Sequence, residues 1–227
     1  MPLTTNLHKF PEDIGEGINS HLMMIDASDN NNNIADSIQI FVPGGGQSNF
    51  SYQQAHLYSD VKLARIATDA VGVGGGVDVP SYAAQKLLGK TLNPGVDILF
   101  QSTTLRTFQF NFILAPKNAN ESTQMFNIVK ALRYHAAPEF ALGNLAFNVP
   151  SEFQIRFFYI DGNRKMTENT RIPKIAKCVL ERIDVDYAGV NGEWSTFADG
   201  NPVSCMITTQ FKEMEIIDKI RIDQQGY

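Results

Sequence analysis

The sequence is poor in cysteine, in charge and in long apolar runs, and each shortage excludes a class of protein. Two cysteines among 227 residues are too few for a disulfide scaffold or a four-thiolate zinc site. Lysine and arginine total 19 against 24 acids, a net charge of −5, which excludes a strongly basic protein that grips duplex DNA. No run of about 18 apolar residues is present, so we expect no membrane span.

The amino-terminal stretch also lacks an apolar segment long enough for a signal peptide. With so few cysteines, we expect a protein made and kept in a reducing compartment such as the cytoplasm. Only 19% of the residues are charged, which is low for a free monomer and suggests that an interface covers part of the surface. Phenylalanine is abundant, at 15 residues, and favours a strand-rich chain.

The length and the absence of internal repeats predict a single domain over 1–227. Residues 1–19 are polar with proline and glycine, and we expect an arm there rather than a folded element. Residues 20–26 and 34–42 are apolar runs that predict a hairpin with a polar tip. Residues 44–95 are bracketed by glycine clusters and predict a long, partly helical insertion, with helices near 53–71 and 81–88.

The clearest periodicity lies in the second part of the chain. Residues 105–114 alternate apolar and polar side chains, which predicts a half-buried strand. A helix follows, with Asn118 as its cap and Glu121 completing a capping box. One apolar stripe marks its buried face: Met125, Ile128, Val129 and Leu132. Three further strands are predicted, at 152–160, 175–187 and 203–217. The pattern predicts an α+β, mainly β domain in which one helix packs on antiparallel strands.

Most motifs that would carry chemistry are incomplete. Residues 84–91 fit a phosphate loop only loosely, because no apolar strand precedes them and their centre is helix-forming. Residues 72–76 lack the last glycine of a dinucleotide fingerprint and its βαβ setting. Asp26 begins a calcium-loop spacing that lacks the central glycine and the bidentate acid, so we expect a solvated hairpin tip there.

Metal and nucleophile patterns are equally weak. The four histidines have no ligand spacing, the two cysteines fall on predicted strands as core thiols, and no Gly-x-Ser-x-Gly elbow occurs. Asp184 and Asp186 share one strand face, which is conceivable as a catalytic acid pair but more typical of a solvated sheet face. We expect no enzyme activity, no cofactor and no metal.

One set of residues resembles a known family. The pattern is Asn93-Pro94, a strand ending in Phe100, the Arg106–Phe112 run, Pro116 before a lysine, and Glu121 opening a helix. It resembles the baseplate tail tube cap and tube initiator proteins of contractile-tailed phages, with a looser match continuing to residue 217. The residues that carry the resemblance, whose first duty we expect to be folding, are Asn93, Pro94, Phe100, Arg106, Phe108, Phe110, Phe112, Pro116 and Glu121.

The resemblance implies a tail-tube-like fold, a β-sandwich or barrel of two packed antiparallel sheets with one flanking helix. It implies a homo-hexameric ring in the virion baseplate, assembled in the host cytoplasm, that initiates or caps the tail tube. Its partners would be the central hub, a second initiator or cap ring, the tail tube protein and the tape measure protein. DNA would pass through the lumen without specific binding, and Asp184 and Asp186 are candidates for the lumen face.

Four alternatives stay open. The chain could be the major tail tube subunit, or the tube protein of a contractile injection system, although the long insertion favours a specialised initiator. An enzyme that uses residues 84–91 would lose nucleotide binding on Lys90→Ala. A single-stranded nucleic-acid binder would need basic neighbours around its aromatic platform, which the acidic balance disfavours.

Overall fold

The computed structural model describes residues 6–14, 21–29, 33–42, 49–62, 96–141, 145–188 and 192–227. Within them the protein is α+β and mainly β. The strands are β1 Asn6–Phe10, β2 His21–Ser28, β3 Ile34–Phe41, β4 Asn49–Gln53, β5 His56–Lys62, β6 Val96–Thr103, β7 Thr107–Leu114, β8 Glu139–Ala141, β9 Ala146–Asn148, β10 Glu152–Ile160, β11 Met166–Glu168, β12 Cys178–Asp186 and β13 Cys205–Glu213. The helices are α1 Ala119–Ala136 and α2 Lys219–Gln225.

The chain forms two compact units. The smaller spans 55–104, and its described part is the antiparallel hairpin of β5 and β6. The larger combines 1–54 with 105–227 and contains a nine-stranded sheet and the separate short hairpin of β8 and β9. Neither helix in the described part of the chain has the length and hydropathy that a membrane crossing requires.

The large sheet consists of two halves that meet at a single residue pair. Its strand order is β1-β3-β2-β10-β12-β13-β7-β4, with β11 beside β10. We call β1, β3, β2 and β10 the first half, and β12, β13, β7 and β4 the second half. Only Phe153 and Cys178 pair between β10 and β12, whereas the other neighbouring strands of this path pair over five or more residues.

The two halves face each other across an aromatic core. The ring of Phe157 in the first half lies 5.5 Å from Phe50 and 6.2 Å from Phe110 in the second, centroid to centroid. Phe153 and Phe211 approach to 5.4 Å in the same way. The predicted pair of packed sheets is therefore present as two halves of one sheet, because the Phe153–Cys178 bridge joins them at one edge.

Helix α1 contributes the predicted stripe to this core. Asn118 caps it and it ends at Ala136, two residues before Pro138. All four stripe residues are buried in the core cluster: Met125, Ile128, Val129 and Leu132. The helix packs against β1 and β12, so the strongest sequence pattern correctly located both the helix and its buried face.

Several local expectations are wrong. The amino-terminal arm contains β1, which pairs with β3 in parallel and makes the sheet mixed rather than purely antiparallel. The helix predicted near 53–71 is a strand over His56–Lys62, because β6 supplies a partner that no local pattern shows. A second helix, α2, accompanies the predicted one.

The predicted helix at 81–88 and the motifs at 72–76 and 84–91 lie outside the described residues. The single-domain assignment stays a prediction.

Candidate assembly surface

The outer face of the second half is polar and carries little net charge. Alternation along β13 and β7 buries one set of side chains and places Thr208, Gln210, Gln109 and Asn111 on the opposite face, where Asn111 Oδ1 is itself covered. The pairing registers Thr208 with Asn111 and Gln210 with Gln109, so these groups form a continuous polar strip. Such a strip offers hydrogen bonds without a strong electrostatic field.

The acids predicted to line this face are largely compensated. Asp184 and Asp186 are exposed, as predicted, but Arg182 Nε lies 2.7 Å from the Asp184 carboxylate. Glu181 accepts from Gln210 at 2.9 Å and lies 3.5 Å from Lys212. The Asp186 carboxylate accepts from the backbone N–H of Ala188 at 2.9 Å. The second half thus presents a mixed outer surface rather than an acidic one.

Each half ends in an edge strand. Among the strands that the structure describes, β1 pairs only with β3 and β4 pairs only with β7. Within the described residues, no strand pairs with the outer backbone edge of either one, and such an edge can pair with another chain. Because β1 ends the first half and β4 ends the second, the described part of the molecule ends in two different edge strands.

Two hairpins expose clustered apolar side chains. In the β8–β9 hairpin the rings of Phe140 and Phe147 contact each other at a tilt, with centroids 4.8 Å apart, and both are more than 60% exposed. Leu145 at its tip is 89% exposed. In the smaller unit, Tyr58 and Phe100 meet at 5.7 Å and are also exposed. Contiguous apolar groups of this kind mark interaction surfaces in soluble proteins.

The residues that carry the family resemblance have different environments. Phe108, Phe110 and Phe112 are buried in the core, as predicted. Pro116 is buried beside the start of α1 and Phe100 is exposed on β6. Asn93 and Pro94 lie outside the described residues.

Arg106 forms a buried ion pair that sequence reasoning missed. Its Nε and Nη2 donate to the two oxygens of Glu213 at 2.7 and 2.6 Å. The Glu213 carboxylate also accepts from the backbone of Ala176 at 2.8 Å, and Arg106 donates to the Lys174 carbonyl at 3.0 Å. The pair therefore fixes the start of β7 to the end of β13 and to the segment before β12. Its partners are 107 residues apart, and no local spacing indicates them.

Glu121 stabilises the start of α1 in a modified capping arrangement. The Asn118 side chain accepts from the Glu121 N–H at 2.8 Å, as the capping box predicts. The Glu121 carboxylate accepts from the N–H of Lys117 at 2.7 Å, rather than from that of Asn118, and from the N–H of Glu12 at 3.3 Å. It therefore ties the helix to the segment that follows β1.

A second polar cluster joins α1 to β3. His135 Nε2 lies 2.9 Å from the Asp36 carboxylate and its Nδ1 lies 2.8 Å from Ser151 Oγ. Asn6 donates to the other Asp36 oxygen at 2.8 Å. The imidazole is 5% exposed and lies between elements that the cluster holds together, so we assign it a positioning role in the fold. Residues so far apart in sequence gave no signal in advance.

The other candidate chemical groups are structural. Asp26 is buried on β2, where it accepts from Arg156 Nη2 at 2.5 Å and from Ser37, so the predicted solvated tip is wrong for this residue. Both cysteines are free and buried; burial raises the pKa of the Cys178 thiol and raises that of Cys205 to about 12. Among the described residues, no three histidine, cysteine or acidic side chains cluster as metal ligands.

Comparisons with known proteins add no family to these observations. No protein-family model matches the chain, and a search of curated proteins returns no significantly similar sequence.

Proposed function

We propose that this chain is a non-enzymatic subunit of a phage baseplate that forms a hexameric ring on the central hub and initiates or caps the tail tube. The observation that carries the proposal is the pair of unequal free edges, β1 on one half of the sheet and β4 on the other. The resemblance over residues 93–217 supplies the biological setting.

Unequal edges favour a closed ring of identical subunits. If β1 of one copy pairs with β4 of the next, the contact is heterologous, and it closes into a ring when the rotation between copies is suitable. Ring closure would pair the outer edges of β1 and β4 and so remove two sites of uncontrolled strand addition. The unpaired backbone N–H and C=O groups of β1 and β4, which favour aggregation in a monomer, would therefore form the contacts between subunits.

The polar outer face of the second half suits a DNA passage. Thr208, Gln210, Gln109 and Asn111 bring no charge, and the neighbouring acids are mostly compensated. A surface with few free cations gives phosphates little to bind, so DNA would slide past it. Reversing the charge of Asp184 and Asp186 should slow DNA ejection from assembled particles; unchanged ejection would remove these residues from the lumen.

The exposed hairpins suit contacts with other proteins. The exposed apolar side chains of the β5–β6 and β8–β9 hairpins would provide surfaces for the hub, a second initiator or cap ring, the tail tube protein and the tape measure protein. The proposed location is the tail baseplate of the virion, after assembly in the host cytoplasm.

The test is the assembly state of the purified protein, alone and mixed with the candidate tube protein. Light scattering and negative-stain microscopy should show rings, or monomers that start tubes only when the tube protein is added. Long tubes from this protein alone would identify the major tube subunit instead. A monomer that is inert towards tube protein and hub would contradict the proposal.

Edge variants make this test specific. Leu7 is exposed on β1, and Leu7→Lys places a charge on the edge that the ring contact needs. Met166→Lys on β11 is the matched control, since Met166 is similarly exposed but lies outside the proposed contact. We expect only the first variant to abolish rings. Equal loss in both would refute the edge-pairing geometry.

A further inference from the structure

A groove of about 310 Å³ lies between β1 and the start of α1. Its lining comes from β1, from the segment after β1 and from the first two turns of the helix: Leu7, Lys9, Glu12, Asn120, Thr123 and Gln124. Lys9 and Glu12 bring one charge of each sign, so the groove is polar without a net charge. An uncharged occupant therefore suits it better than an anion or a cation.

The groove runs along the outer edge of β1. Within that strand, His8 and Phe10 pair with buried core residues of β3. Because side chains alternate along a strand, Leu7 and Lys9 lie on the opposite face. Helix α1, whose buried stripe belongs to the core cluster, lies on the core side. A groove lined from both sides must pass a backbone edge of β1, and β3 occupies the other edge. The groove therefore lies where a further strand would join the sheet.

One polar atom in the groove lacks a hydrogen bond. The Oε1 atom of Gln124 is covered, yet nothing in the described part of the chain donates to it. Buried acceptors are normally paired, so this atom favours an occupant that brings an N–H or O–H donor. A suitable occupant would present its backbone to the edge of β1 and a donor side chain to Gln124.

Strand β4 has this chemistry. Its residues, Asn49–Gln53, carry no charge. The rings of Phe50 and Tyr52 contact buried phenylalanines of β7 at 5.1 and 5.8 Å, centroid to centroid, but they stay 38% and 50% exposed. They thus lie on the core face of the sheet at an edge that no described strand covers, and Tyr52 adds a hydroxyl donor. In one molecule β4 pairs with β7 and not with β1, so a β4 strand in the groove belongs to another copy.

We propose that this groove receives β4 of a second copy of the chain, and that the Tyr52 hydroxyl of that copy donates to Gln124 Oε1. The backbone contact is the addition of a strand to a sheet edge. With the aromatic face of β4 towards α1, Ser51 lies on the side of Leu7 and Lys9, because side chains alternate. The contact rests on the proposed function and adds to backbone pairing a side-chain interaction that distinguishes β4 from other strands.

Removal of the hydroxyl tests the side-chain contact. Light scattering follows assembly as a function of protein concentration, with the tube protein present where rings need it. Tyr52→Phe should raise the concentration at which half of the copies are assembled by about five- to tenfold, because one covered hydrogen bond is lost. Tyr58→Phe, at a tyrosine of similar exposure on β5, is the matched control and should change nothing.

The acceptor side gives a second readout. Gln124→Leu should weaken assembly about as much as Tyr52→Phe does. The double variant Tyr52→Phe/Gln124→Leu should be no weaker than either single variant, because all three lack the same bond. Equal effects of Tyr52→Phe and Tyr58→Phe, or additive effects of the two single variants, would overturn the proposal.

Cysteine cross-linking tests the placement of the strand. Two single variants are mixed, one with Ser51→Cys and the other with Leu7→Cys or Lys9→Cys, while the native cysteines are buried. Mild oxidation should give disulfide-linked dimers from the mixture and none from either variant alone. Ser51→Cys mixed with Thr123→Cys is the control and should give none, since Thr123 lies on the helix side of the groove.

The outcomes separate this contact from the ring itself. Rings without dimers, or dimers only with Thr123→Cys, would refute the groove contact and leave the ring standing. Dimers without rings would support the groove contact and refute the closed ring. The absence of both would refute both.

Discussion

Two arginine–carboxylate pairs of almost equal length lie in opposite settings in this molecule. Arg106 and Glu213 meet at 2.6 Å with side chains that are 5% and 0% exposed. Arg182 and Asp184 meet at 2.7 Å with side chains that are 67% and 51% exposed. By distance alone, the two pairs would be expected to contribute equally to stability. Their burial makes their contributions differ, because water screens the exposed pair and is excluded from the buried one.

The difference shows where this protein depends on charge. The buried pair lies where β7, β13 and the segment before β12 meet. Glu213 also accepts from the Ala176 N–H, and Arg106 also donates to the Lys174 carbonyl. The exposed pair lies on the face proposed for the lumen, where solvent can replace either partner. Substitutions at polar groups of decreasing burial should therefore give decreasing losses of unfolding free energy.

The largest loss is expected from Glu213→Gln. The amide keeps the shape of the carboxylate but leaves Arg106 buried without a counter-charge, which costs about 3–5 kcal/mol of unfolding free energy. Urea denaturation followed by tryptophan fluorescence or circular dichroism measures it. The double variant Arg106→Met/Glu213→Leu should recover part of the loss, since no unpaired charge remains. A loss below about 1 kcal/mol in the single variant would show that water reaches this pair.

An intermediate loss is expected from Arg156→Met. Asp26 is buried, but the side chain of Arg156 is 39% exposed, so solvent compensates in part. Asp26 would keep only its bond from Ser37, and we expect a loss of about 1–2 kcal/mol in the same denaturation assay. Arg171→Met, at an exposed position without an ion pair, is the control. Equal losses in the two variants would show that the Asp26–Arg156 pair does not contribute to stability.

A loss near 1 kcal/mol is expected from Asn118→Ala. The substitution removes the side-chain acceptor for the Glu121 N–H at the start of α1. Asn118→Ser should restore most of the stability, because serine also caps helices well. If alanine and serine behave alike in the denaturation assay, the cap does not contribute to stability.

The smallest loss is expected from Asp184→Asn. Breaking the exposed pair with Arg182 should change the unfolding free energy by less than about 0.5 kcal/mol, as for most surface ion pairs. Raising the salt concentration should erase even that difference. A loss comparable with that of Glu213→Gln would mean that the face is covered in solution, as it would be inside an assembly.

The sequence correctly predicted those helices and strands whose buried face is visible in the periodicity of their own residues. Strand β10 matches its prediction of 152–160, and α1 has both its predicted cap and its buried stripe. In each case one face is buried, so the side-chain period is visible within a few residues. The same holds for β7, whose phenylalanines alternate with polar residues.

The missed features depend on partners that are distant in the chain. Strand β1 lies in a proline-containing stretch and forms by pairing with β3, about 30 residues away. In β5 both Leu57 and the adjacent Tyr58 are exposed, so it lacks the alternation of a half-buried strand. The Arg106–Glu213 pair and the His135 cluster each join residues about 100 apart, and one sequence gives no local sign of such contacts.

The order of the strands along the chain has a consequence for synthesis. Strand β2 pairs with β10, about 130 residues later, and β7 pairs with β13, about 100 residues later. The two halves of the sheet are thus interleaved in sequence, and β13, which lies inside the second half, is the last of the described strands. The first half cannot close until β10 has been synthesised, and the second half cannot close until β13 has been synthesised. We expect the hairpin of β2 and β3 to wait unpartnered until residue 160 has emerged, and β7 to wait until residue 213 has emerged, with a corresponding need for protection from aggregation.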